Sequence, residues 1–224
     1  LGSVNYLATS VRPDIATAVS ILSSIPDKHN LTKGDVDDAE RLLRYLKQPK
    51  SNVGIHFDAS KFDSPLDAIT PLAYVDANHK KTGDFKSRSG QCIFMAGAPV
   101  YWRSQTQKTK ATSSTHAEIV AASDIAKRLC WMRSLLRELG FDIPQIPLLE
   151  DNSATISLAD GGAITDRTRH ISIRLWWTRQ LQNRGIIDLR PIPSEENIAD
   201  FYTKVLPLHV QRRYIKQLVR PYDG

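Results

Sequence analysis

The order of hydrophobic periodicities is the feature that most constrains how this 224-residue chain can fold. After residue 70, three segments with the short apolar pattern of β-strands are followed by a long stretch with helical spacing. The strands are predicted at 72–75, 90–95 and 99–103 and the helix at 115–139, followed by strands at 146–149 and 186–190 and helices at 153–159, 171–184 and 195–203. A three-strand meander followed by crossover units predicts an α/β protein with a mixed five-stranded sheet flanked by helices.

Single residues mark several boundaries within this region. Gly97-Ala98 predicts the tight turn between the second and third strands, and Ser194 is the expected N-cap of the last helix. Glycine is favoured in such turns because it adopts positive φ angles. Serine is favoured at a cap because its hydroxyl accepts hydrogen bonds from the exposed amides of the first helical turn.

The residues before the sheet are predicted to form a small helical segment. One helix begins at Arg12-Pro13-Asp14 and ends before Pro26, and a second covers 32–47. Residues 53–57 can form a short strand, and 58–70, rich in Asp, Ser and Pro, is typical of a linker. The predicted divisions are a helical segment at 1–57, the linker at 58–70, the α/β domain at 71–207 and a helical tail at 208–224.

Composition excludes several classes of protein. With 41% hydrophobic and 24% charged residues, the chain is neither collagen-like nor of low complexity. No apolar run approaches the roughly 20 residues that cross a bilayer, so an integral membrane protein is not expected. The first ten residues lack the features of a signal peptide and read as the middle of a longer polypeptide. Cys92 and Cys130 show no metal-ligand spacing, which argues against a zinc site and a disulfide framework and favours a reducing compartment.

The positive charge is unevenly distributed. Residues 1–70 hold 8 Lys and Arg against 9 Asp and Glu, whereas the remainder holds 22 against 15. A basic excess confined to the C-terminal two thirds is the pattern expected if that part contacts a polyanion. The alternative interpretation is an ordinary solubilising surface.

Three acids occupy related positions at the ends of predicted elements. Asp76 ends the strand at 72–75, Asp151 follows the strand at 146–149, and Glu118 lies in the first turn of the long helix. Carboxyl ends of neighbouring strands meet at one rim of a sheet, where α/β proteins place their sites. Clustered carboxylates suit Mg²⁺ or Mn²⁺, and two such ions would clamp a phosphodiester. The alternative is that these acids are ordinary caps and solvated loop residues.

Several blocks of sequence, in order, resemble one family. They are YVDANHKKTGDFKSRSGQCIFMAGAPVYWRSQTQKTKATSSTHAEIVAAS, LLEDNSATISLA, DRTRHISIR and PIPSEENIADFYTKVLP. Together they resemble the ribonuclease H domain of copia-type retrotransposon Pol polyproteins. The segment YLATSVRPDIATAVSILSS with AERLLRYLK is similar to the end of the reverse transcriptase that precedes that domain. The resemblance implies a ribonuclease H-like fold for residues 71–207 and a thumb-like or connection-like helical tail of the polymerase at 1–57.

The resemblance also implies a metal site. The family uses four acids to bind two Mg²⁺ ions, with Mn²⁺ as a substitute, and these map onto Asp76, Glu118, Asp151 and Asp200. By this resemblance Asp76 bridges both ions, Glu118 and Asp151 hold the second, and Asp200 holds the ion that activates water. One departure is His116, which replaces an acid usual in the family, and another is the absence of a histidine from the loop before Asp200.

Candidate substrate contacts lie in the loops around these acids. Basic residues, hydroxyls and helix-start amides suit the phosphates and 2′-hydroxyls of a hybrid, and the alternative is a solvated loop with a helix cap. Position in the family suggests Asn78 and Gln105 as minor-groove contacts. The full candidate set is Asn78, Gln105, Lys108, Ser113, Ser114, Thr115, Asn152 and His170.

The predicted function is endonucleolytic hydrolysis of the RNA strand of RNA–DNA hybrids during reverse transcription. The expected partners are the hybrid and the remainder of the reverse transcriptase, with no membrane. The expected location is the cytoplasm, within a virus-like particle, or the nucleus. The alternative is a catalytically inactive or host-adopted ribonuclease H-like module that binds nucleic acid or protein.

Overall fold

A mixed five-stranded sheet forms the centre of the protein, as the sequence predicted. The structure, a computed structural model, describes residues 2–25, 31–48, 52–79, 86–163 and 171–222. The strands are β1 (Val53–Gly54), β2 (Leu72–Asn78), β3 (Arg88–Met95), β4 (Ala98–Thr106), β5 (Ile146–Glu150), β6 (Ile187–Pro191) and β7 (Arg220–Pro221). Strands β4-β3-β2-β5-β6 make the sheet; β2, β3 and β4 pair antiparallel, and β2-β5 and β5-β6 pair parallel.

Helices cover both faces of this sheet. They are α1 (Gly2–Ser10), α2 (Ala16–Ser23), α3 (Lys33–Lys47), α4 (Pro65–Ile69), α5 (Ser114–Glu138), α6 (Ser153–Ala159), α7 (Ser172–Asn183) and α8 (Leu208–Leu218), with 3-10 helices at Pro13–Ile15, Ala59–Lys61, Ser194–Glu196 and Ile198–Tyr202. None of the helices in the described part of the chain is both long enough and apolar enough to cross a membrane.

The main core lies between α5 and one face of the sheet. Along β2, Ala73, Val75 and Ala77 point to this face and pack with the buried side of α5. Tyr74 points to the opposite face, where it packs against a cluster that includes Phe201 and residues of α8. Because side chains alternate along a strand, the two faces of β2 carry different partners, and this alternation sets where the acids at the strand's end can point.

The N-terminal helices are part of the same folded body. Trp102 of β4 donates through Nε1 to the Ala8 carbonyl (2.6 Å), and Thr17 of α2 donates through Oγ1 to the Phe201 carbonyl (2.6 Å). β1 pairs antiparallel with β7, so this segment is also joined to the C-terminal tail. The sequence did not predict α1 or this pairing. Short helices bury little apolar surface alone, and docking on β4 covers their apolar side chains.

The stretch 58–70, predicted as a linker, is folded. It forms the 3-10 helix and α4, whose caps are the side chains of Asp58 and Ser64. The Asp58 amide donates to the Ala96 carbonyl and the Ala96 amide to the Ala68 carbonyl, at 2.8 and 2.6 Å. Asp, Ser and Pro favour helix starts as well as loops, which is why composition alone misread this stretch. The exact domain boundaries stay a prediction.

Two local predictions were wrong. The turn between β3 and β4 is Ala96-Gly97, both with positive φ (48° and 72°), one residue before the expected position. The single helix expected over 195–203 is split into two 3-10 helices at Asn197. Asn197 caps the second of them, whereas Ser194 caps neither and uses its hydroxyl on another partner.

We expect Thr17→Val to destabilise the protein by about 1–3 kcal/mol, because it leaves the Phe201 carbonyl without its buried donor while preserving shape. Urea unfolding measures the change. Thr9→Val is the matched control, since the Thr9 hydroxyl bonds only within α1 at an exposed position and should change stability by less than about 0.5 kcal/mol. Equal stability of the two variants would contradict the integration of α2 with the sheet.

Candidate metal centre

Two neighbouring parallel strands bring acids to one edge of the sheet. β2 and β5 pair in parallel, so their carboxyl ends lie side by side. Asp76 lies near the end of β2, Glu150 is the last residue of β5, and Asp151 follows it. The first turns of α5 reach the same edge and place Glu118 there. The structure therefore brings together the acids that the sequence singled out.

The carboxylates form two groups, within each of which the ligand oxygens lie within 4.8 Å of one another. One group contains Asp76, Asp151 and Asp200, and the other contains Glu118, Glu150 and Asp151. The resemblance assigned the bridging position to Asp76. In the described part of the chain, Asp151 is the residue that both groups share.

Strand alternation explains this division. Ile146 and Leu148 face α5, and Glu150 continues the same face of β5 toward Glu118. Asp76 shares its face of β2 with Tyr74, on the side covered by the segment that carries Asp200. Asp151 lies just past the end of β5, so its side chain is not restricted by the strand to one face of the sheet. It can therefore approach both groups.

The segment 194–204 holds the group containing Asp76 and Asp200 in place. Asn197 donates through Nδ2 to the Val75 carbonyl of β2 (2.9 Å), and Thr203 donates through its hydroxyl to Asp76. The Ser194 hydroxyl donates to Asp151 Oδ2 at 2.6 Å. These contacts fasten the loop after β6 to β2 and β5 and fix the position of Asp200.

Close approach of this segment depends on Gly90. Gly90 lies opposite Asp76 in the β2–β3 ladder. A Cβ added to Gly90 would lie 2.7 Å from Thr203 Cγ2 and closer still to the Ala199 carbonyl oxygen. Glycine at this position therefore lets the backbone around Asp200 pack directly on β3.

Among the described residues, Lys204 forms ion pairs with the group that contains Asp76 and Asp200. Its Nζ lies 2.6 Å from Asp200 Oδ1 and 3.4 Å from Asp76 Oδ1. Burial lowers the pKa of the Lys204 ammonium, but attraction by Asp76 and Asp200 raises it by more, so its pKa lies above the ordinary value. The side chain is 38% exposed, so its ammonium can move into solvent when another cation binds.

Burial and mutual repulsion disfavour the ionised form of the buried carboxyls. Asp76 is 2% exposed, and burial, opposed by Lys204 and reinforced by Asp200, raises its pKa to about 6. Burial and then the neighbouring Glu150 raise the pKa of Glu118, and burial raises the pKa of Glu150 well above its usual range. A divalent cation removes this penalty because it favours the ionised form of every carboxylate around it. The all-oxygen donor set therefore fits a hard divalent cation.

Glu150 was not proposed as a site residue from the sequence, although a signal was present. Ile146 and Leu148 are core positions on alternate residues of β5, and the same period of two places the Glu150 side chain inside. An acid at an interior position of a strand is rare unless it is paired or bound to a metal.

A basic groove lies between β4 with the residues that follow it, the first half of α5 and the start of α7. Of the predicted substrate contacts, Gln105 and Lys108 line it. Arg103, Lys127 and Arg174 complete its cationic lining, with Asp124 as the opposing charge. Lys127 and Arg174 were missed because they come from α5 and α7, and their position beside β4 depends on helix packing.

Several of the other predicted contact residues have structural partners. Ser113 caps α5 by accepting from the His116 amide (3.0 Å), and Asn152 caps α6 by accepting from the Thr155 amide (3.0 Å). Ser114 and Thr115 form the first turn of α5, where Ser114 is exposed.

Asn78 and His170 were also predicted to contact the substrate, and His116 replaces an acid that is usual in the family. Asn78 ends β2, with its Nδ2 3.5 Å from the Thr203 carbonyl. His170 lies outside the described residues. His116 accepts through Nδ1 from the Thr112 amide (3.1 Å) and so braces the turn before α5.

Among known proteins, two retrovirus-related Pol polyproteins are similar to this chain in sequence. The chain is 32% identical to the retrovirus-related Pol polyprotein from transposon TNT 1-94 of Nicotiana tabacum over 210 residues, which covers 92% of this chain and 15% of that protein. It is 30% identical to the Pol polyprotein from transposon RE1 of Arabidopsis thaliana, over 92% of this chain and 14% of that protein. The chain thus spans about a seventh of the length of these relatives. No family model matches.

Other comparisons add a shorter relative and solved structures. Secreted RxLR effector protein 161 of Plasmopara viticola is 33% identical over 59% of this chain and 87% of its own length. LC11-RNase H1, isolated from compost, aligns with a TM-score of 0.47 at 15% identity over 60% of this chain and 92% of its own. The same enzyme in complex with an RNA/DNA hybrid aligns with a TM-score of 0.44 at 12% identity, over 57% of this chain and 88% of its own. The strand order β4-β3-β2-β5-β6 and the placement of the helices define the α/β fold of this chain.

Proposed function

Since the chain belongs to the Pol polyproteins of copia-type retrotransposons, we propose that it contains their ribonuclease H domain and hydrolyses the RNA strand of RNA–DNA hybrids. The single observation that carries the proposal is the pair of carboxylate groups sharing Asp151 at the carboxyl ends of β2 and β5. A cluster of this kind at the rim of an α/β sheet is the arrangement expected for metal-dependent phosphodiester chemistry.

The proposed metal ligands are Asp76, Glu118, Asp151 and Asp200. Divalent cations held there would supply a nucleophilic water near neutral pH and would stabilise the charge that develops on the phosphate. The protein's own residues position the ligands: Thr203 orients Asp76 and Ser194 orients Asp151 through their hydroxyls. Lys204 neutralises Asp76 and Asp200 until a stronger cation binds.

The basic groove between β4 and α5 is the proposed binding surface for the hybrid. Its cations, including Arg103, Lys108 and Lys127, suit contacts to backbone phosphates, which position a duplex without reading its sequence. Gln105 in the same groove offers an amide for sugar or base-edge hydrogen bonds. The remainder of the reverse transcriptase is the proposed partner of this chain.

Cleavage should require Mg²⁺ or Mn²⁺ and should stop in excess chelator, with little activity in Ca²⁺, which accepts larger coordination numbers and looser geometry. The assay uses a hybrid labelled on its RNA strand, with RNA duplex and DNA duplex of the same sequence as controls. Full cleavage in chelator would contradict metal catalysis. Hybrid binding without cleavage in any of these metals would favour the alternative, a ribonuclease H-like binding module.

A further inference from the structure

Glu150 is a fully buried acid that the proposed four-ligand site does not use. Its side chain is 0% exposed. One oxygen, Oε1, accepts from the Asn152 amide at 3.0 Å, and the other, Oε2, meets no hydrogen-bond donor in the part of the chain that the structure describes. A buried carboxylate oxygen without a partner carries a desolvation cost unless the group is protonated or binds a cation.

Glu118, in the same group as Glu150, also has a buried oxygen without a hydrogen-bond donor among the described residues. Glu118 is 5% exposed, and this oxygen is its Oε2. Asp151 completes the group, and the ligand oxygens of the three residues lie within 4.8 Å of one another. The ion pairs of Lys204 are made to Asp76 and Asp200 in the other group. Glu118 and Glu150 thus each keep a buried oxygen without a donor in the described part of the chain, and both belong with Asp151 to one group of close carboxylates, a set of ligands that a cation would satisfy.

We infer that Glu150 is a fifth carboxylate of the metal centre and holds a divalent cation together with Glu118 and Asp151. This inference rests on the proposed function and extends it. The two groups then divide the ligands by face of the sheet, with Asp76 and Asp200 on one side, Glu118 and Glu150 on the other, and Asp151 common to both. With Glu150 included, each group offers three carboxylates.

A purely structural role for Glu150 makes different predictions. In that role Glu150 would hold the β5–α6 connection through the Asn152 amide and would share a proton with Glu118. Glu150→Gln separates the two roles, because the amide oxygen still accepts from Asn152 and the amide nitrogen can still donate to Glu118. Only the negative charge and one anionic ligand oxygen are lost.

The experiment counts bound Mn²⁺ in the full chain by electron paramagnetic resonance of the free ion and follows melting temperature with and without metal. Glu138→Gln is the matched control, since Glu138 is an exposed glutamate at the end of α5. We expect Glu150→Gln to melt no lower than the parent in chelator. It should lose at least tenfold in affinity for one of two Mn²⁺ ions, and Mn²⁺ should stabilise it less. Glu138→Gln should match the parent in every measurement.

Each other outcome overturns the assignment in a distinguishable way. Superimposable Mn²⁺ titrations of the parent and Glu150→Gln would remove Glu150 from the metal centre and leave the four-acid site intact. A melting temperature of Glu150→Gln below that of the parent in chelator would show that Glu150 stabilises the fold without a cation. A parent that binds no Mn²⁺ would overturn the proposed function together with this extension of it.

Discussion

Asp151→Asn should abolish cleavage of a hybrid while leaving the protein folded. Asp151 is the residue common to both carboxylate groups, so its replacement by a neutral amide removes an anionic ligand from each. We expect the cleavage rate to fall by more than about a hundredfold, a barrier increase of roughly 2.7 kcal/mol. Single-turnover cleavage of a labelled hybrid in Mg²⁺ measures the effect.

Asp151→Asn should keep the parent's stability and hybrid binding although it loses cleavage activity. The amide oxygen that the substitution introduces can still accept from the Ser194 hydroxyl, and one repulsive charge is removed, so melting in chelator should be no lower than in the parent. Salt-sensitive hybrid binding should persist because the basic groove is unchanged. Asp142→Asn, at an exposed position outside the site, is the control and should retain full activity. An Asp151→Asn variant within about tenfold of the parent rate would contradict the assignment, since tenfold corresponds to only ~1.4 kcal/mol.

Gly90→Ala should be the most destabilising of the proposed substitutions. The added methyl group would lie less than 3.0 Å from the Ala199 carbonyl oxygen and from Thr203 Cγ2, closer than folded proteins tolerate, and would also make a tight contact with the Tyr202 Cβ at 3.0 Å. The nearest of these atoms belongs to the backbone, so relief requires the whole segment around Asp200 to move. We expect a loss of roughly 3 kcal/mol or more in the free energy of unfolding, at or beyond the upper end of the usual cost of overpacking.

The same displacement should reach the metal centre. Asp200 and Thr203 move with the segment, so the group formed with Asp76 should open and Mn²⁺ affinity should fall even under conditions in which the variant is folded. Urea unfolding and Mn²⁺ titration test the two effects. Gly54→Ala is the control, because a Cβ there meets nothing within 4 Å. Parent-like stability of Gly90→Ala would mean that the 194–204 segment does not pack on β3 as described.

Interactions between residues close in sequence explain why the order of the strands and helices was predicted correctly. The order of β2, β3, β4, α5, β5, α6, α7 and β6 follows from periodicities of two and 3.6 residues, and these depend on residues near one another in the chain. The positions of Asp76, Glu118 and Asp151 follow from where those elements end. The resemblance supplied Asp200, which lies in a short 3-10 helix without a periodic signal of its own.

The misread segments share one physical cause. Asp58 and Ser64 indicated a linker, yet their side chains cap short helices that pack against the turn after β3. The helix expected over 195–203 is interrupted because Asn197 bonds to the Val75 carbonyl of β2. In each case a partner distant in sequence decided between two conformations that the local residues allow almost equally.

The sequence by itself determined the α/β class, the order of the elements and the acids at their ends. Only the tertiary structure decided that Glu150 faces Glu118, that Asp151 belongs to both carboxylate groups, and that Lys204 lies on Asp76 and Asp200. These relations depend on the parallel pairing of β2 with β5 and on the close approach that Gly90 allows. Pairing and close packing join residues that are far apart in the chain, and no short-range pattern of residues encodes such distances.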